Sequence, residues 1–419
     1  MRFDFLIRFG VHKDREVLRT LRSSISGLVI PAHILCYSTD ATIAAISYIK
    51  KDYYIDPMTF LYSKNIKEYL GEDRKRFKPS IDKMTASYGL IDLFVKKGYT
   101  ALEVKDFSEQ MISDFSQKSL NLQLKKVDER KEGAYKKYTE LLSKVGKAHI
   151  LSELNEPHMP KAIVPPYFFF GNLTDGWADL NIKFANKTQG MTESPIVPII
   201  CTNIDCLNDR LLDKYSNFKE VFIWIEGLDE RDAEITDLTK YASFVKEASE
   251  KGFIIRNLYG TYFSIMLGKY GLAGMTNGIF YGEYKSIKAK VGGVPPVRYY
   301  LRKVHQFFIL PEAIALITKF SGLLDVANDK VMRLIGRDPQ NILLFEKNHS
   351  AAQTHFIYSR EKEIEEVDSQ TPIKLVEELE DVFVEYQPKV GMITNKSLNC
   401  LNTWASAFRR AGELGEKVG

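Results

Sequence analysis

The chain has 419 residues, 45% of them hydrophobic and 27% charged, which suits a packed core and excludes a disordered chain. A formal charge of +4 is too small for a protein coated in cations for nucleic acid, so any polyanion binding has to be local. Charges interrupt the apolar run of MRFDFLIRFGVHKDRE, and no apolar stretch approaches the ~20 residues of a membrane span, so neither a signal peptide nor a membrane helix is expected.

In chain order, RFDFLIRF (2–9) comes first. Phe3, Phe5, Ile7 and Phe9 alternate with Arg2, Asp4 and Arg8, the pattern of a half-exposed strand lying outside or across the base of the main sheet. Eight apolar runs follow: GLVIPAHILCY (27–37), YYIDPMTF (53–60), AIVPPYFFF (162–170) and IVPIIC (196–201), then VFIWIE (221–226), FIIRN (253–257), GLAGM (271–275) and VRYYL (297–301). Most are continuous and not alternating, as in strands buried on both faces of a parallel sheet.

Between them, Asp232 to Lys251 places Ile235, Leu238, Tyr241, Ala242, Val245 and Ala248 at helical spacing, and Gly252 ends it. That helix runs directly into FIIRN, giving strand–helix–strand in about 35 residues, the length of a βαβ unit. The expected fold is an α/β (β/α)8 TIM-type barrel, with a doubly wound open parallel sheet as the alternative. If RFDFLIRF is itself strand one, VRYYL leaves the barrel.

Four segments are expected: 1–63, the start of the barrel; 64–150, an inserted, mildly basic helical subdomain after the second strand; 151–304, the rest of the barrel; and 305–419, a helical C-terminal extension. The insertion is lysine-rich, a solvated helical face or a surface for nucleic acid or an acidic partner. The extension could also carry a protein contact.

In a parallel barrel the loops after the strands form the active face. They deliver Asp40, Asp56, Glu226, Arg256, Asn257, Asn277, Glu283 and Lys285. Carboxylates gathered in a dry site push their pKa values apart, so one can act as acid while another stays ionised. Glu226, Glu283, Asp40 and Asp56 are therefore the candidate catalytic groups. Arg256 is a candidate anion clamp, and Asn257, Tyr259, Asn277, Lys285, Arg298 and Tyr299 are candidate substrate contacts, the tyrosines offering flat faces to a base or sugar. Each has a plainer reading: Asp40 as a helix cap, Asp56 as a turn residue before Pro57, Arg256 as a counter-charge, and His33 as a core histidine.

No GxGxxG follows a strand and no GxxxxGK[ST] occurs, so NAD and P-loop nucleotides are not expected. Cys36, Cys201, Cys206 and Cys400 form no CxxC pair and no HExxH or HxH spacing occurs, so neither structural zinc nor a histidine metal site is expected. Free thiols fit a reducing, cytoplasmic setting. A carboxylate-bound Mg²⁺ needs only one or two protein ligands and stays open. GGVPP (292–296) reads as a rigid turn sooner than as a phosphate loop.

At the level of fold alone, a carboxylate-rich barrel with a basic insertion is similar to enzymes that exchange or hydrolyse glycosidic bonds on nucleotides and nucleic acids. The zinc cluster and the aspartate-serine-glycine-glycine run of tRNA base-exchange barrels are absent. The expected activity is acid–base or nucleophilic chemistry by paired carboxylates, of hydrolase or glycosyl transferase class, on a polar, anionic substrate. Glycosidic-bond cleavage or base exchange on a nucleotide or nucleic acid is its concrete form. The alternative is a non-catalytic binding module or scaffold subunit that recruits nucleic acid or protein through the insertion and the C-terminal helices.

Overall fold

A computed structural model describes residues 2–10, 14–72, 74–144, 146, 158–279, 282–287 and 296–416. Seven parallel strands form one sheet: β1 (Asp4–Arg8), β2 (Gly27–Pro31), β3 (Asp52–Asp56), β4 (Ile199–Thr202), β5 (Glu220–Ile225), β6 (Ile254–Asn257) and β7 (Leu272–Gly278). Their order is β3-β2-β1-β7-β6-β5-β4. The sheet curls strongly: Tyr54 of β3 donates to Glu220 of β5 at 3.3 Å and meets the Phe222 ring edge-on at 5.0 Å, although four strands lie between β3 and β5 in the ladder.

The expected closed eight-stranded barrel is not formed; the strands make a parallel, open α/β arrangement. The run 162–170 was expected to be a strand, and it lies between the two sheet edges without a ladder. Lys161 N donates to Tyr53 O of β3 at 2.9 Å, while Ile163 and Phe170 make isolated bridges to Ile196 and Thr202 on the β4 side. Pro165 and Pro166 sit in its middle, and two missing N–H donors prevent a continuous ladder.

RFDFLIRF is an interior strand of the sheet and not an outlier, since β1 pairs with both β2 and β7. Its charges misled because they face inward and are matched there: Asp4 by Arg256 and Arg8 by Asp56. VRYYL accordingly leaves the sheet and becomes β8 (Arg298–Leu301), antiparallel to β9 (Gln306–Ile309). Of GLVIPAHILCY only the first half is strand, because the chain turns helical after Pro31. The stretch 292–295 of the GGVPP turn lies outside the described residues.

Helices α1 (Asp14–Thr20), α2 (Ala32–Tyr37) and α3 (Thr39–Ile49) connect the first three strands. Within 64–150 run α4 (Pro79–Ser87), α5 (Ile91–Lys96) and the long α6 (Glu109–Lys144), which packs on α3. Helices α7 (Trp177–Gln189), α8 (Asp209–Lys214), α9 (Ile235–Glu250) and α10 (Tyr262–Met266) serve the second half of the sheet. After β9 come α11 (Leu310–Lys319), α12 (Asp329–Leu334), α13 (His349–Ser369), α14 (Pro372–Gly391) and α15 (Asn399–Glu416). The last of these docks on α9, with Phe408 stacked on Tyr270 at 4.3 Å and Trp404 Nε1 donating to Glu230 O at 2.5 Å. Among the described residues no helix is long and apolar enough to cross a membrane.

Candidate active site

Strand register sorts the polar side chains. Parallel partners share a face, so the pairings Asp4↔Gly274↔Arg256↔Phe222 and Arg8↔Val29↔Tyr54 put Asp4, Arg8, Tyr54, Arg256 and Phe222 on the inner face of the curl. Alternation along β3, β4 and β5 adds Asp56, Cys201, Glu220 and Trp224.

Two charged layers result, separated by about 13 Å along β1 at the usual strand rise. At the N-terminal end, Arg256 bonds to Asp4 at 2.8 Å and to Glu220 at 2.5 Å. Both carboxylates already occupy its guanidinium, and it lies away from the strand ends where an anion clamp was expected.

The C-terminal end is organised around Arg8 and Asp56. Arg8 Nη2 donates to Asp56 Oδ2 at 2.7 Å, while Oδ1 accepts from Tyr167 OH at 2.9 Å and from Met58 N at 2.8 Å. The Met58 bond is an Asx turn, so the turn role of Asp56 before Pro57 is real, and the ion pair is added to it. Asp56 is 1% exposed. Burial works to raise its pKa, but Arg8, Lys285 and the donated hydrogen bonds outweigh burial and hold the carboxyl below its usual range.

Lys285 reaches this layer from the loop after β7. Its Nζ lies 4.9 Å from the ring centre of Phe60, 5.3 Å from Trp224 and 5.9 Å from Tyr259. Among the described residues the amine has no ion pair or hydrogen bond. Burial, and then Arg8, lower its pKa to about 7 against the pull of Asp56, Cys201 and Glu226. Ring faces attract the charged form, so the cage lets a cation persist in a place that would otherwise expel it.

The loop is pinned from several sides. Trp224 Nε1 donates to Lys285 O at 3.0 Å, and Glu226, immediately after β5, accepts from Ser286 Oγ and Ile287 N, both at 2.7 Å. Glu283 is 4% exposed and paired with Arg360 of α13 and, at 3.3 Å, with Arg231. Gly282 allows the tight return, because a Cβ there would lie 2.4 Å from Gly278 N.

Three further groups complete the mouth. His33, at the start of α2, places Nδ1 2.9 Å from Met58 Sδ; burial, then Arg8 and Lys285, lower its pKa to about 4, so it is neutral at pH 7. Burial, with Glu226 adding to it, raises the Cys201 thiol far above its usual range. Arg8 Nη1 and Tyr259 OH are buried and have no hydrogen-bond partner among the described residues, and Arg8 Cζ lies 5.6 Å from the Tyr259 ring centre. Buried polar atoms are normally paired, so two orphans next to a lysine describe a place for a ligand's oxygens.

No protein-family model matches the chain, and no curated protein matches it either.

Of the expected site residues, the structure brings Asp56, Glu226, Tyr259 and Lys285 to one end of the sheet. Asp40 lies in the first turn of α3, paired with Arg130 of α6 at 3.0 Å. Asn257 faces the outer side, where its Nδ2 reaches Ser264 Oγ at 2.9 Å and Glu230 Oε1 at 3.2 Å. Asn277, beside Ile7 on that outer side, is fully buried, and neither polar atom of its side chain has a partner among the described residues. Arg298 and Tyr299 belong to the β8–β9 hairpin: Tyr299 packs on His355 at 4.0 Å, and Arg298 lines a separate cavity of about 650 Å³ with Arg231 and Lys396.

Sequence reasoning missed Arg8, Tyr167 and Trp224. For Arg8 the signal was present, since Asp4 and Arg8 share one side of an alternating strand; for Tyr167 it was absent, because its run was read as an ordinary strand. Among the described residues no three His, Cys, Asp or Glu side chains gather into a metal-binding group.

Proposed function

We propose that the chain is an enzyme of hydrolase or glycosyl transferase class that takes a polar, anionic substrate into the mouth formed by Arg8, Tyr259, Glu226 and Lys285. Glycosidic-bond cleavage or base exchange on a nucleotide or nucleic acid is its concrete form. The observation that supports this most is the caged Lys285 amine, set beside two donors that have no partner among the described residues and near a carboxylate, Glu226, that has no arginine among them.

In this reading Arg8 Nη1 and Lys285 bind the anionic group, and Arg8 takes the clamp role first expected of Arg256. Glu226 is the acid–base group: it lies at a strand end, half-exposed, and among the described residues its oxygens accept from the neutral donors Ser286 Oγ and Ile287 N. Asp56 stays ionised and holds Arg8 in place. Trp224 and Tyr259 are buried rings at this end, and a base or sugar would have to pack against them. The setting is cytoplasmic, and a substrate-borne Mg²⁺ is compatible with the carboxylates present.

The test is release of free base from nucleosides, nucleotides and short oligonucleotides, followed by mass spectrometry. Wild type should release base, and Glu226→Gln and Lys285→Met should fold normally and release none. Full release by Glu226→Gln, or none by wild type from any of the three classes, rejects this reading. The second reading, a non-catalytic module that recruits nucleic acid or protein through the insertion, is favoured by the exposed lysines along α6.

A further inference from the structure

On the outer side of the insertion, α6 and the ends of α3 and α4 enclose an open groove of about 670 Å³. One face of α6 supplies Lys118, Asn121, Lys125, Lys126 and Arg130, and the opposite wall supplies the hydroxyl residues Thr39 and Ser87. The spacing 118, 121, 125 keeps these side chains on one helical stripe. Four cations line the groove against one carboxylate, Glu129.

The cations differ in their engagement. Arg130 is tied to Asp40 at 3.0 Å, and among the described residues Lys126 Nζ reaches only a hydroxyl, Ser87 Oγ, at 3.4 Å. Lys118 and Lys125 are exposed and have no carboxylate partner among the described residues. Lys118 is nonetheless placed: its chain crosses directly over Gly89, where a Cβ would collide with it. Three lysines and the Asn121 amide are hydrogen-bond donors suited to phosphate oxygens, whereas the Thr39 and Ser87 hydroxyls already donate to Leu35 O at 2.8 Å and Lys83 O at 2.9 Å.

An aromatic face adjoins the groove. Tyr37, the last residue of α2, is 52% exposed, and Lys83 Nζ lies 4.9 Å from its ring centre, one turn before Ser87 on α4. Cations interleaved with an exposed ring are the means by which single strands are held without sequence preference. The groove also approaches the mouth: Cys36, whose thiol lies 3.7 Å from Ser87 Oγ, is one turn along α2 from His33.

We propose that this groove binds the phosphodiester backbone of a single-stranded nucleic acid, with Lys118, Lys125 and Lys126 on phosphates and Tyr37 under a base. This assignment does not depend on catalysis at the mouth. The experiment is fluorescence anisotropy of the full chain with a labelled single-stranded oligonucleotide of about 20 nucleotides, at about 50 to 200 mM salt. Wild type should bind, with affinity falling steeply as salt rises. Lys118→Glu/Lys125→Glu/Lys126→Glu should melt like wild type, lose at least about tenfold in affinity, and show a log–log salt slope shallower by about 2. Tyr37→Ala should weaken binding while leaving the slope unchanged.

Unchanged affinity and slope in the triple variant overturns the assignment, as does absence of binding by wild type at low salt. Competition by inorganic phosphate or a mononucleotide at equal phosphate concentration overturns the strand and leaves a lone phosphate group as the ligand chemistry. Glu226→Gln should bind like wild type, so that failure here and failure of the catalytic reading are told apart.

Discussion

Arg8 and Asp56 close the C-terminal ends of two strands separated by β2 and form an ion pair of 2.7 Å with the carboxylate 1% exposed. Removing one partner from such a pair leaves an uncompensated buried charge, so Arg8→Met should cost about 3–5 kcal/mol in urea denaturation. Asp56→Asn should cost less near its titration range than at neutral pH. The folded carboxyl titrates below its ordinary value of 3.8, so its contribution is present above that value and is lost as pH falls through the folded pKa. The gap between wild type and Asp56→Asn should therefore narrow below about pH 4; a gap that widens on acidification contradicts the pairing.

Lys285 has the opposite linkage. Its amine titrates near 7 when folded against an ordinary value of 10.5, so the unfolded chain takes up the proton first as pH falls. Native stability due to this residue is greatest above 10.5, declines between 10.5 and about 7, and is constant below. Lys285→Met should gain on wild type through that window and hold its advantage at lower pH, as read from urea midpoints. A difference independent of pH would mean that the amine is solvated.

Arg360 is fully buried between Glu363, at 2.5 Å, and Glu283, with its guanidinium 4.8 Å from the Tyr300 ring centre. Glu363 also accepts from Tyr300 OH at 2.7 Å and pairs with His305 at 2.6 Å. Arg360→Met takes a buried counter-charge from two carboxylates and should destabilise by about 3–5 kcal/mol in urea denaturation. Because Glu283 lies two residues from Lys285, the same variant should loosen the loop and speed amide exchange at Ser286 and Ile287.

The four free cysteines, Cys36, Cys201, Cys206 and Cys400, are all buried, and burial raises each thiol pKa. A thiol reagent should label them slowly in the native protein and all four rapidly in urea, with the native rate tracking opening of the structure. Prompt labelling of Cys201 in the folded state would show that the mouth admits reagent beside Trp224.

Continuous apolar strands such as VFIWIE were legible because burial on both faces leaves no polar phase to confuse them. The helix over 235–250 was legible because one face is wet and the other is not. Charge was harder. In RFDFLIRF the polar phase of the alternation meets counter-charges from β3 and β6, and no local pattern distinguishes that from water. Glu283 and Lys285 sit two residues apart, yet one joins the arginines of α13 and the loop after β5 while the other joins the mouth. That divergence depends on where a distant C-terminal helix packs.

The seam at 161–170 has one more consequence. A ring of strands joined all round has its girth set by strand number and stagger. Here the join beside Asp56 is a proline-bearing strap fixed by side chains and not by a ladder: Tyr167 N donates to Thr59 Oγ1 at 2.7 Å, Gln123 bonds both Val164 N and O, and Asn181 bonds both Phe168 N and O. The girth at this point is therefore set by Thr59, Gln123 and Asn181 and not by strand number and stagger.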